Sequence, residues 1–233
     1  MTSVIPVNHP TNTQRMNCDL RILQVSTSDS TGGAHKVAYN LHHAYQAHGY
    51  PAWLAVRSKY TNDPHILSIP NDASRSAWTQ LWLAMGNVRG AWRLRKVLNW
   101  IGQPGRELEI HRGHEDFDFP ETWRILDLPP ERPDIIHCHN LHSGYFDLRA
   151  LPWLSQQVPI VLTLHDTWLL TGHCAYSLDC ERWRKGCGHC PDLAIYPAVR
   201  RDATAYNWQR KRAIYANSRF HVAVPCRWLM QQV

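Results

Sequence analysis

Two patches of polar residues in this sequence have the side-chain types that bind or activate a ligand hydroxyl. His165 and Asp166 directly follow the apolar run PIVLTL, and His137, His139 and Asn140 lie in the segment DIIHCHNLHSGYF. An imidazole can exchange a proton or donate a hydrogen bond, and a neighbouring carboxylate can orient the ring or act as a base. The alternative is a set of internally hydrogen-bonded histidines beside a turn-forming Asn, with Asp166 capping a helical turn.

The spacing within these patches indicates which side chains can share a pocket. His137 and His139 are two residues apart on a predicted strand, so their side chains point the same way. Trp168 follows two residues after Asp166. Its ring could stack on one face of a sugar, or it could pack in the hydrophobic core.

A pair of glycines, Gly32 and Gly33, stands between the first predicted strand and the first predicted helix. Glycine lets a ligand approach the backbone closely, and a helix N-terminus offers free N–H groups and a partial positive charge. This combination suits a diphosphate, to which Lys36 could add a charge. A tight turn explains the pair equally well, because the full G-x-G-x-x-G spacing of dinucleotide-binding loops is absent.

Four cysteines form a C-x5-C-x6-C-x2-C array in the irregular segment 167–198. Four thiolates make a closed tetrahedral Zn²⁺ site, which is structural rather than catalytic. A segment with few apolar residues gains stability from such a clamp. His173 or His189 could replace one cysteine, and reduced thiols or a disulfide pair are the alternatives. The candidate ligands are Cys174, Cys180, Cys187 and Cys190.

Alternating strands and helices must position these groups. Apolar, β-branched runs predict strands, and apolar residues at helical spacing predict helices. Residues 57–75 are expected to form a loop that admits one short strand, and 102–133 to form mainly loop. The predicted strands are 20–26, 52–56, 134–138, 159–164 and 221–224, and the predicted helices are 34–48, 76–101 with a break at Gly86 and Gly90, 146–155, 200–217 and one starting at 227.

This order predicts a Rossmann-like α/β fold, a doubly wound parallel sheet with a cysteine-rich loop. The glycine pair and the two histidine patches each follow a different predicted strand. In open α/β sheets, ligands bind at the carboxyl ends of the strands. We therefore expect the three patches to meet along one edge of the sheet.

Length and composition set the class of protein. The 233 residues suffice for one α/β domain; residues 1–19 are polar and are predicted to be a flexible leader, with the domain at 20–233. No run approaches the roughly 18 apolar residues of a membrane span, and no signal peptide is evident, which favours the cytoplasm. The formal charge of +6 suits an anionic ligand or membrane surface. Scattered basic residues without a known motif argue against nucleic acid.

A Trp-rich stretch at 76–101 carries five basic residues in or beside it. An amphipathic helix with Trp on one side and Arg or Lys on the other can lie in a membrane interface. The stretch can equally pack its apolar stripe on the domain and expose a basic face to solvent.

Several of these segments, in the same order, resemble family 4 glycosyltransferases. The resemblance is carried by LRILQVSTSDSTGGAHKVAYNLHHAYQAHGY, PDIIHCHNLHSGYFDLRALPWL, PIVLTLHDTWLLTGHC, DCERWRKGCGHCP and the closing HVAVPCRWL. It is strongest to the bacterial colanic-acid and exopolysaccharide branch. The resemblance implies the N-terminal, acceptor-side half of a GT-B fold, in which two Rossmann-like domains face a cleft.

The resemblance also implies an activity and site roles. The family transfers a sugar, here a hexose, from a nucleotide-sugar to a glycan or polyprenyl-linked acceptor with retention and without a catalytic metal. By this resemblance, Gly32 and Gly33 lie near the donor diphosphate, and His165, with Asp166 beside it, contacts the donor sugar. His137, His139, Asn140 and Trp168 are assigned to the acceptor cleft. The Trp-rich stretch would then lie on the inner membrane face.

One departure from the family pattern affects the expected activity. The family's second domain carries an E-x7-E segment and the basic residues that stabilise the leaving diphosphate, and this sequence ends before it. Because stabilisation of the leaving group is central to catalysis, we expect the chain alone to be inactive. It would be a fragment, a truncated product or half of a split enzyme that needs a donor-domain partner.

Two other functions compete with this interpretation. A zinc-stabilised module that binds carbohydrate or a protein partner without catalysis also fits the cysteine array and the aromatic residues. A nucleotide-dependent epimerase or dehydrogenase fits less well, because the sequence lacks G-x-G-x-x-G and a suitably placed Tyr-x3-Lys pair.

Overall fold

A six-stranded parallel sheet forms the centre of the computed structural model, which describes residues 19–30, 32–73, 75–84 and 92–233. Every predicted strand is present, and β1 and β2 each continue two residues beyond the predicted end. The short strand expected within 57–75 is β3. The strands are β1 Ile22–Ser28, β2 Ala52–Ser58, β3 Ile66–Ser68, β4 Ile135–His139, β5 Ile160–Thr163 and β6 His221–Ala223.

The strand order is β3-β2-β1-β4-β5-β6, which confirms a doubly wound, Rossmann-like sheet. The chain winds outward from β1 to β3 and then places β4 on the other side of β1. The direction of winding therefore reverses between β1 and β4. The carboxyl side of such a reversal is where open α/β sheets bind ligands. The pairing of Gln24 with His137, and of His139 with Thr163, sets the side chains along this edge.

The helices cover both faces of the sheet, so the inner strands are buried on both sides. In β2, residues 52–56 are all buried, and Leu23, Val25 and Ile136 lie at the centre of the larger core cluster. The helices in the described residues are α1 Gly33–Ala47, α2 Ala77–Ala84, α3 Trp92–Gly102, α4 Pro104–His111, α5 Leu151–Gln157, α6 Thr204–Ala216 and α7 Arg227–Met230.

The prediction that 102–133 is mainly loop is wrong. It contains α4 and a 3₁₀ helix, Pro120–Asp127. Each begins with proline in its first turn, where the missing N–H is not needed for the helix. Phe117, Ile125 and Leu126 are buried in the main core cluster and hold this region on the domain. The proline-rich composition of residues 102–133 was therefore a poor guide to their helical content.

Other helix boundaries differ less from those expected. The predicted helix 146–155 starts as a 3₁₀ turn at Leu148–Ala150 before α5. The helix expected from residue 200 starts at Thr204, because the Asp202 carboxylate accepts the Thr204 N–H at 3.1 Å. Of the predicted leader, residues 1–18 lie outside the described residues, as does the helix break at Gly86 and Gly90. None of the described helices combines the length and apolar character that crossing a membrane requires.

Candidate active site

A row of three histidines lines the carboxyl edge of β4 and β5. The rings of His137 and His139 lie 4.2 Å apart between centroids, which confirms that they point the same way, and His139 and His165 stack at 5.4 Å. Thr163 Oγ1 lies 2.7 Å from His137 Nε2, and Tyr45 OH lies 3.4 Å from His137 Nδ1. The strand register thus builds a layer of imidazoles rather than isolated side chains.

His139 links the buried layer to His165. Its Nδ1 lies 3.1 Å from His165 Nε2, its Nε2 lies 3.2 Å from the Gln24 amide nitrogen, and only 1 % of the residue is exposed. Because the Gln24 amide N–H donates in this orientation, His139 Nε2 accepts and its proton resides on Nδ1. The Nδ1–H of His139 then donates to His165 Nε2. Because His165 Nε2 accepts this bond, the proton of His165 is on its Nδ1.

Asn140 and Asp166 connect the ends of the two strands. Asn140 accepts the backbone N–H of His165 at 3.0 Å and donates to Asp166 Oδ2 at 2.8 Å. It adopts a left-handed conformation (φ 39°), which Asn tolerates better than most residues. His142 Nε2 lies 2.8 Å from the same oxygen, and Asp166 Oδ1 accepts the N–H of Trp168 at 2.9 Å. Asp166 therefore caps a helical turn and also orients the site.

Burial keeps the imidazoles of this layer uncharged at neutral pH. It lowers the pKa of His137 to about 4, with a further effect of His165. It lowers the pKa of His139 to about 2, where His137, His165 and His35 act in the same direction. Burial also lowers the pKa of His165, against an opposing effect of Asp166. Neutral imidazoles can both donate and accept hydrogen bonds, which suits neutral hydroxyl groups.

The glycine loop lies on the same edge of the sheet. Gly32 is exposed with φ 90°, and Gly33 begins α1. A Cβ on Gly32 would come within 3.1 Å of His35 Cδ2. His35 in turn lies 3.3 Å from Ser26 Oγ and influences the pKa of His139 and His165. The structure therefore brings the glycine pair and both histidine patches together, as the sequence predicted.

The N-terminus of α1 has the features of an anion-binding end. Gly32 provides no side-chain cap, and the first turn contains no acidic residue. The first N–H groups of a helix have no partner within the helix and carry a partial positive charge. Lys36 is exposed one turn along, where its ammonium group adds to that charge.

Trp168 lies beside the site but is mostly buried. The residue is 3 % exposed, and its ring meets Phe117 edge-on at 6.4 Å. Lys211 Nζ lies 4.1 Å from the ring centroid and 2.8 Å from the Trp168 carbonyl oxygen. The packing alternative for Trp168 therefore holds, and only its margin lines the neighbouring cavity.

A cavity of about 400 Å³ opens next to His142. This volume falls within the range of small-molecule sites, which is roughly 300–1,000 Å³. Its walls combine apolar and aromatic surface with two arginines and the Ser143–Gly144 turn. The side chains that line it include Arg57, Phe117, His142, Tyr196 and Arg200.

Sequence reasoning did not assign a role to His142, His35 or Tyr196. His142 completes the Asp166 network, His35 joins the glycine loop to the histidine layer, and the Tyr196 hydroxyl contacts Ser143 Oγ. His142 could have been found from its place two residues after Asn140 at a strand end, and His35 from its place in the first turn of α1. Tyr196 carries no comparable local signal.

The four cysteines surround one small cavity, together with His173. Gly172 N donates to Cys187 Sγ at 3.2 Å, and His173 Nε2 lies 3.4 Å from Cys190 Sγ. Burial raises the pKa of Cys187 to about 11 and also raises that of Cys174 and Cys190.

Residues 186–189 form a left-handed knuckle, but the thiols around it are not drawn in to metal-ligand distance. All four of its residues have positive φ angles. A closed Zn²⁺ site needs sulfur atoms about 3.8 Å apart, from a Zn–S distance of about 2.3 Å. No three cysteine or histidine ligand atoms of this segment lie within 4.8 Å of one another, although every one of these residues is described. Zinc binding here therefore stays a prediction.

Comparisons with known proteins place these features in a family context. The model of Glycosyltransferase Family 4 matches residues 31–233. The chain is also similar to the Escherichia coli (strain K12) protein provisionally named colanic acid biosynthesis glycosyl transferase WcaC, with 34% identity over 119 residues. That match spans 48% of this chain and 28% of the WcaC protein. No solved structure matches the chain.

Proposed function

The chain belongs to glycosyltransferase family 4. We propose that the crevice lined by His137, His139 and His165 takes part in transferring a hexose from a nucleotide-sugar to a glycan or polyprenyl-linked acceptor. The similarity to WcaC supports a role in the synthesis of a surface polysaccharide. The observation that carries the proposal is the meeting of the α1 N-terminus with His139 and His165 at the point where the sheet reverses its winding.

The donor side of the site is formed by α1 and His165. In this proposal, the N–H groups at Gly32 and Gly33 and the Lys36 ammonium bind the diphosphate, because a helix N-terminus stabilises anions. His165 donates its Nδ1 proton to a hydroxyl of the donor sugar. Its neutral state, which burial favours, makes it a hydrogen-bond partner rather than a cation. As the family resemblance implies, the proposed chemistry uses no catalytic metal.

The acceptor lies in the cavity next to His142. Its mixed polar and aromatic walls suit a sugar ring, since aromatic faces pack on the apolar side of sugars while polar groups bind hydroxyls. His137, His139 and Asn140 support this side from beneath by fixing the positions of His165 and Asp166. In a same-face transfer with retention of configuration, the acceptor approaches from the same side as the leaving diphosphate.

A binding and transfer experiment tests this function. Nucleoside diphosphate hexoses are titrated into the chain by calorimetry, and sugar transfer is followed with radiolabelled donors and a glycan acceptor. We expect a nucleoside diphosphate to bind and Lys36→Ala to weaken it, while Lys59→Ala, which removes a lysine that hydrogen-bonds the Asp63 carbonyl oxygen, leaves binding unchanged. Equal affinities in all three proteins would contradict the donor assignment.

The same assay distinguishes the hypothesis of an enzyme from that of a non-catalytic module. Steady turnover by residues 1–233 would contradict the prediction that this acceptor-side domain needs a donor domain. Binding of glycan without any affinity for nucleoside diphosphates would favour a zinc-stabilised carbohydrate-binding module instead.

A zinc clamp in the cysteine segment is the second part of the proposal. The shared cavity and the left-handed knuckle support it, and metal binding would draw the sulfur atoms together and deprotonate the thiols. Zinc content by mass spectrometry should be one equivalent bound through sulfur. Cys187→Ser should abolish it, and the exposed Cys226→Ser should not. Sulfur-bound zinc in both variants would contradict the ligand set.

Peripheral contact with an anionic membrane is the third part. In the described portions of α2 and α3, several large apolar side chains are exposed by more than a third of their surface: Trp78, Leu81, Val97, Trp100 and Ile101. The basic residues Arg89, Arg93, Arg95 and Lys96 and the side chain of Trp82 lie outside the described side chains. Co-sedimentation with phosphatidylglycerol vesicles should be lost in Trp78→Ser/Leu81→Ser, whereas a substitution of the exposed Tyr60 should have no effect.

A further inference from the structure

A second cluster of metal-ligating side chains lies away from the crevice. It contains His42 and His43 of α1 and Asp63 of the loop between β2 and β3. One ligand atom from each residue lies within 4.8 Å of the others, and no other set of three or more such residues meets this criterion in the described part of the chain. His42 lies about 14 Å along the helix from Gly33, at 1.5 Å per residue, so the cluster is separate from the proposed diphosphate site.

Three nitrogen atoms in this cluster are buried without a hydrogen-bond partner. His42 is fully buried (0 % exposed), and neither of its ring nitrogens has a partner among the described residues. The same holds for His43 Nε2. Buried polar atoms in folded proteins are nearly always paired. A neutral imidazole offers one lone pair, so each of these adjacent rings can give one of its orphaned nitrogens to a ligand that accepts lone pairs.

The carboxylate that completes the cluster is held in place from its other side. Asp63 Oδ1 accepts the backbone N–H of His65 at 2.8 Å and lies 3.3 Å from His65 Nδ1. This leaves Oδ2 on the side of His42, 3.9 Å from His42 Nε2. Hydrogen bonding of the second oxygen to a neighbouring residue is the usual outer-shell arrangement of carboxylates that bind metals.

We propose that His42, His43 and Asp63 bind a divalent transition-metal cation of the Zn²⁺ class. Two imidazoles and one carboxylate are a borderline donor set that suits Zn²⁺ and its neighbours in the first transition series, whereas Mg²⁺ and Ca²⁺ prefer all-oxygen sites. Water supplies the remaining coordination. The cation ties α1 to the loop between β2 and β3, and so fixes the helix whose N-terminus enters the crevice.

Metal binding to the purified chain tests this site independently of sugar transfer. The metal-free protein is titrated with Zn²⁺ and with Co²⁺, and the bound zinc is examined by X-ray absorption. We expect one equivalent with nitrogen and oxygen neighbours at about 2.0–2.2 Å, against about 2.3 Å for sulfur. Cys187→Ser should leave this equivalent unchanged, which distinguishes it from metal in the cysteine segment.

Substitutions of the ligands supply the decisive comparison. His43→Gln and Asp63→Asn should each weaken this equivalent by about 100-fold or more, because even outer-shell changes cost about 10–100-fold. Both positions are partly exposed, so these variants remain informative where His42→Gln fails to fold. His48→Gln, an exposed histidine just after the same helix, should bind as the unmodified chain does. Unchanged affinity in His43→Gln and Asp63→Asn, or the absence of any nitrogen-bound metal, would overturn the proposal and assign the nitrogens to buried water.

Discussion

The histidine crevice and the cysteine segment present polar groups in opposite ways. In the crevice, His137, His139 and Thr163 lie on β4 and β5, where register with neighbouring strands fixes each side chain. The segment 172–191 has one short 3₁₀ helix, Arg182–Lys185, and otherwise irregular backbone with several left-handed residues.

This difference predicts different consequences of mutation. The sheet positions the crevice without needing the crevice side chains for its stability, so substitutions there should reduce binding or turnover more than folding. The cysteine segment has little regular structure of its own, so its order depends on side-chain contacts and on the proposed metal. Substitutions in or beneath it should reduce stability first.

The largest effect on stability is expected from Lys211→Met. Lys211 lies on α6 beneath both regions, and only 1 % of the residue is exposed. Its Nζ is 3.0 Å from Glu115 Oε2 and 2.8 Å from the Trp168 carbonyl oxygen. Removing one member of a buried ion pair leaves an unpaired charge and costs about 3–5 kcal/mol. Urea denaturation should show this loss.

A double variant shows whether the pair or the packing carries that effect. Lys211→Met/Glu115→Leu replaces both charges by apolar groups and should recover most of the lost stability, since such exchanges are often nearly neutral. A double variant as unstable as the single one would mean that the Trp168 contact, rather than the ion pair, holds the two regions together.

The crevice should respond to His165→Ala in turnover rather than in folding. Removing one positioned hydrogen-bond donor from an active site lowers kcat by about 10²–10³-fold. The unfolding midpoint should change little, because His165 lies two residues beyond the end of β5 and its ring is not part of the apolar core. Sugar transfer is assayed with a donor domain of the family added, because the chain alone is expected to be inactive, and both transfer and thermal unfolding are compared for this variant and for His221→Ala, an exposed histidine on β6. A large loss of stability in His165→Ala would remove the distinction drawn between the two regions.

Much of the crevice could be predicted because its chemistry follows sheet geometry. Apolar runs located the strands, and the polar residues directly after them had to meet at one edge, so His139, His165 and the glycine pair were placed together correctly. The link through His35 depends on how α1 approaches β1, which no local pattern encodes. The cluster of His42, His43 and Asp63 was not found either, since it joins a helix to a loop 20 residues away.

The cysteine segment illustrates where spacing stops being informative. The spacing of the array identified the four cysteines that surround one cavity, but the distances between their thiols depend on irregular backbone and on Trp183 and Thr204, which line the same cavity. The expected loop at 102–133 failed for a related reason. Proline marks a helix start as well as a helix end, and only the buried Ile125 and Leu126 decide between them.

A matched pair of glycine substitutions tests the donor end of the crevice. Gly32→Ala should cost about 1–3 kcal/mol, because φ 90° is strained for any residue with a Cβ and the added carbon would crowd His35. Gly33→Ala adds a Cβ that meets nothing within 4 Å and should stabilise α1 by about 0.5–1 kcal/mol. Chemical denaturation measures both. Equal effects would mean that the loop conformation at Gly32 is not maintained in solution.

The smallest expected effect is a pH dependence to which His137 of the crevice contributes. Burial lowers the pKa of His137 to about 4, below the value of about 6.5 in an unfolded chain. Between these values the unfolded chain binds the proton and the folded chain does not, so stability is full above about pH 6.5 and falls as the pH decreases toward 4. His137 should contribute a loss of about 1 kcal/mol between pH 7 and pH 5.5. His137→Gln, which can keep a hydrogen bond to Thr163, should reduce this slope in denaturation curves. The thiols of Cys174, Cys187 and Cys190, whose pKa values burial raises further above this range, should contribute nothing to it. Identical slopes in the unmodified chain and in His137→Gln would mean that His137 takes up its proton in the folded state as readily as in the unfolded one. The imidazole layer would then be charged rather than neutral at mildly acidic pH.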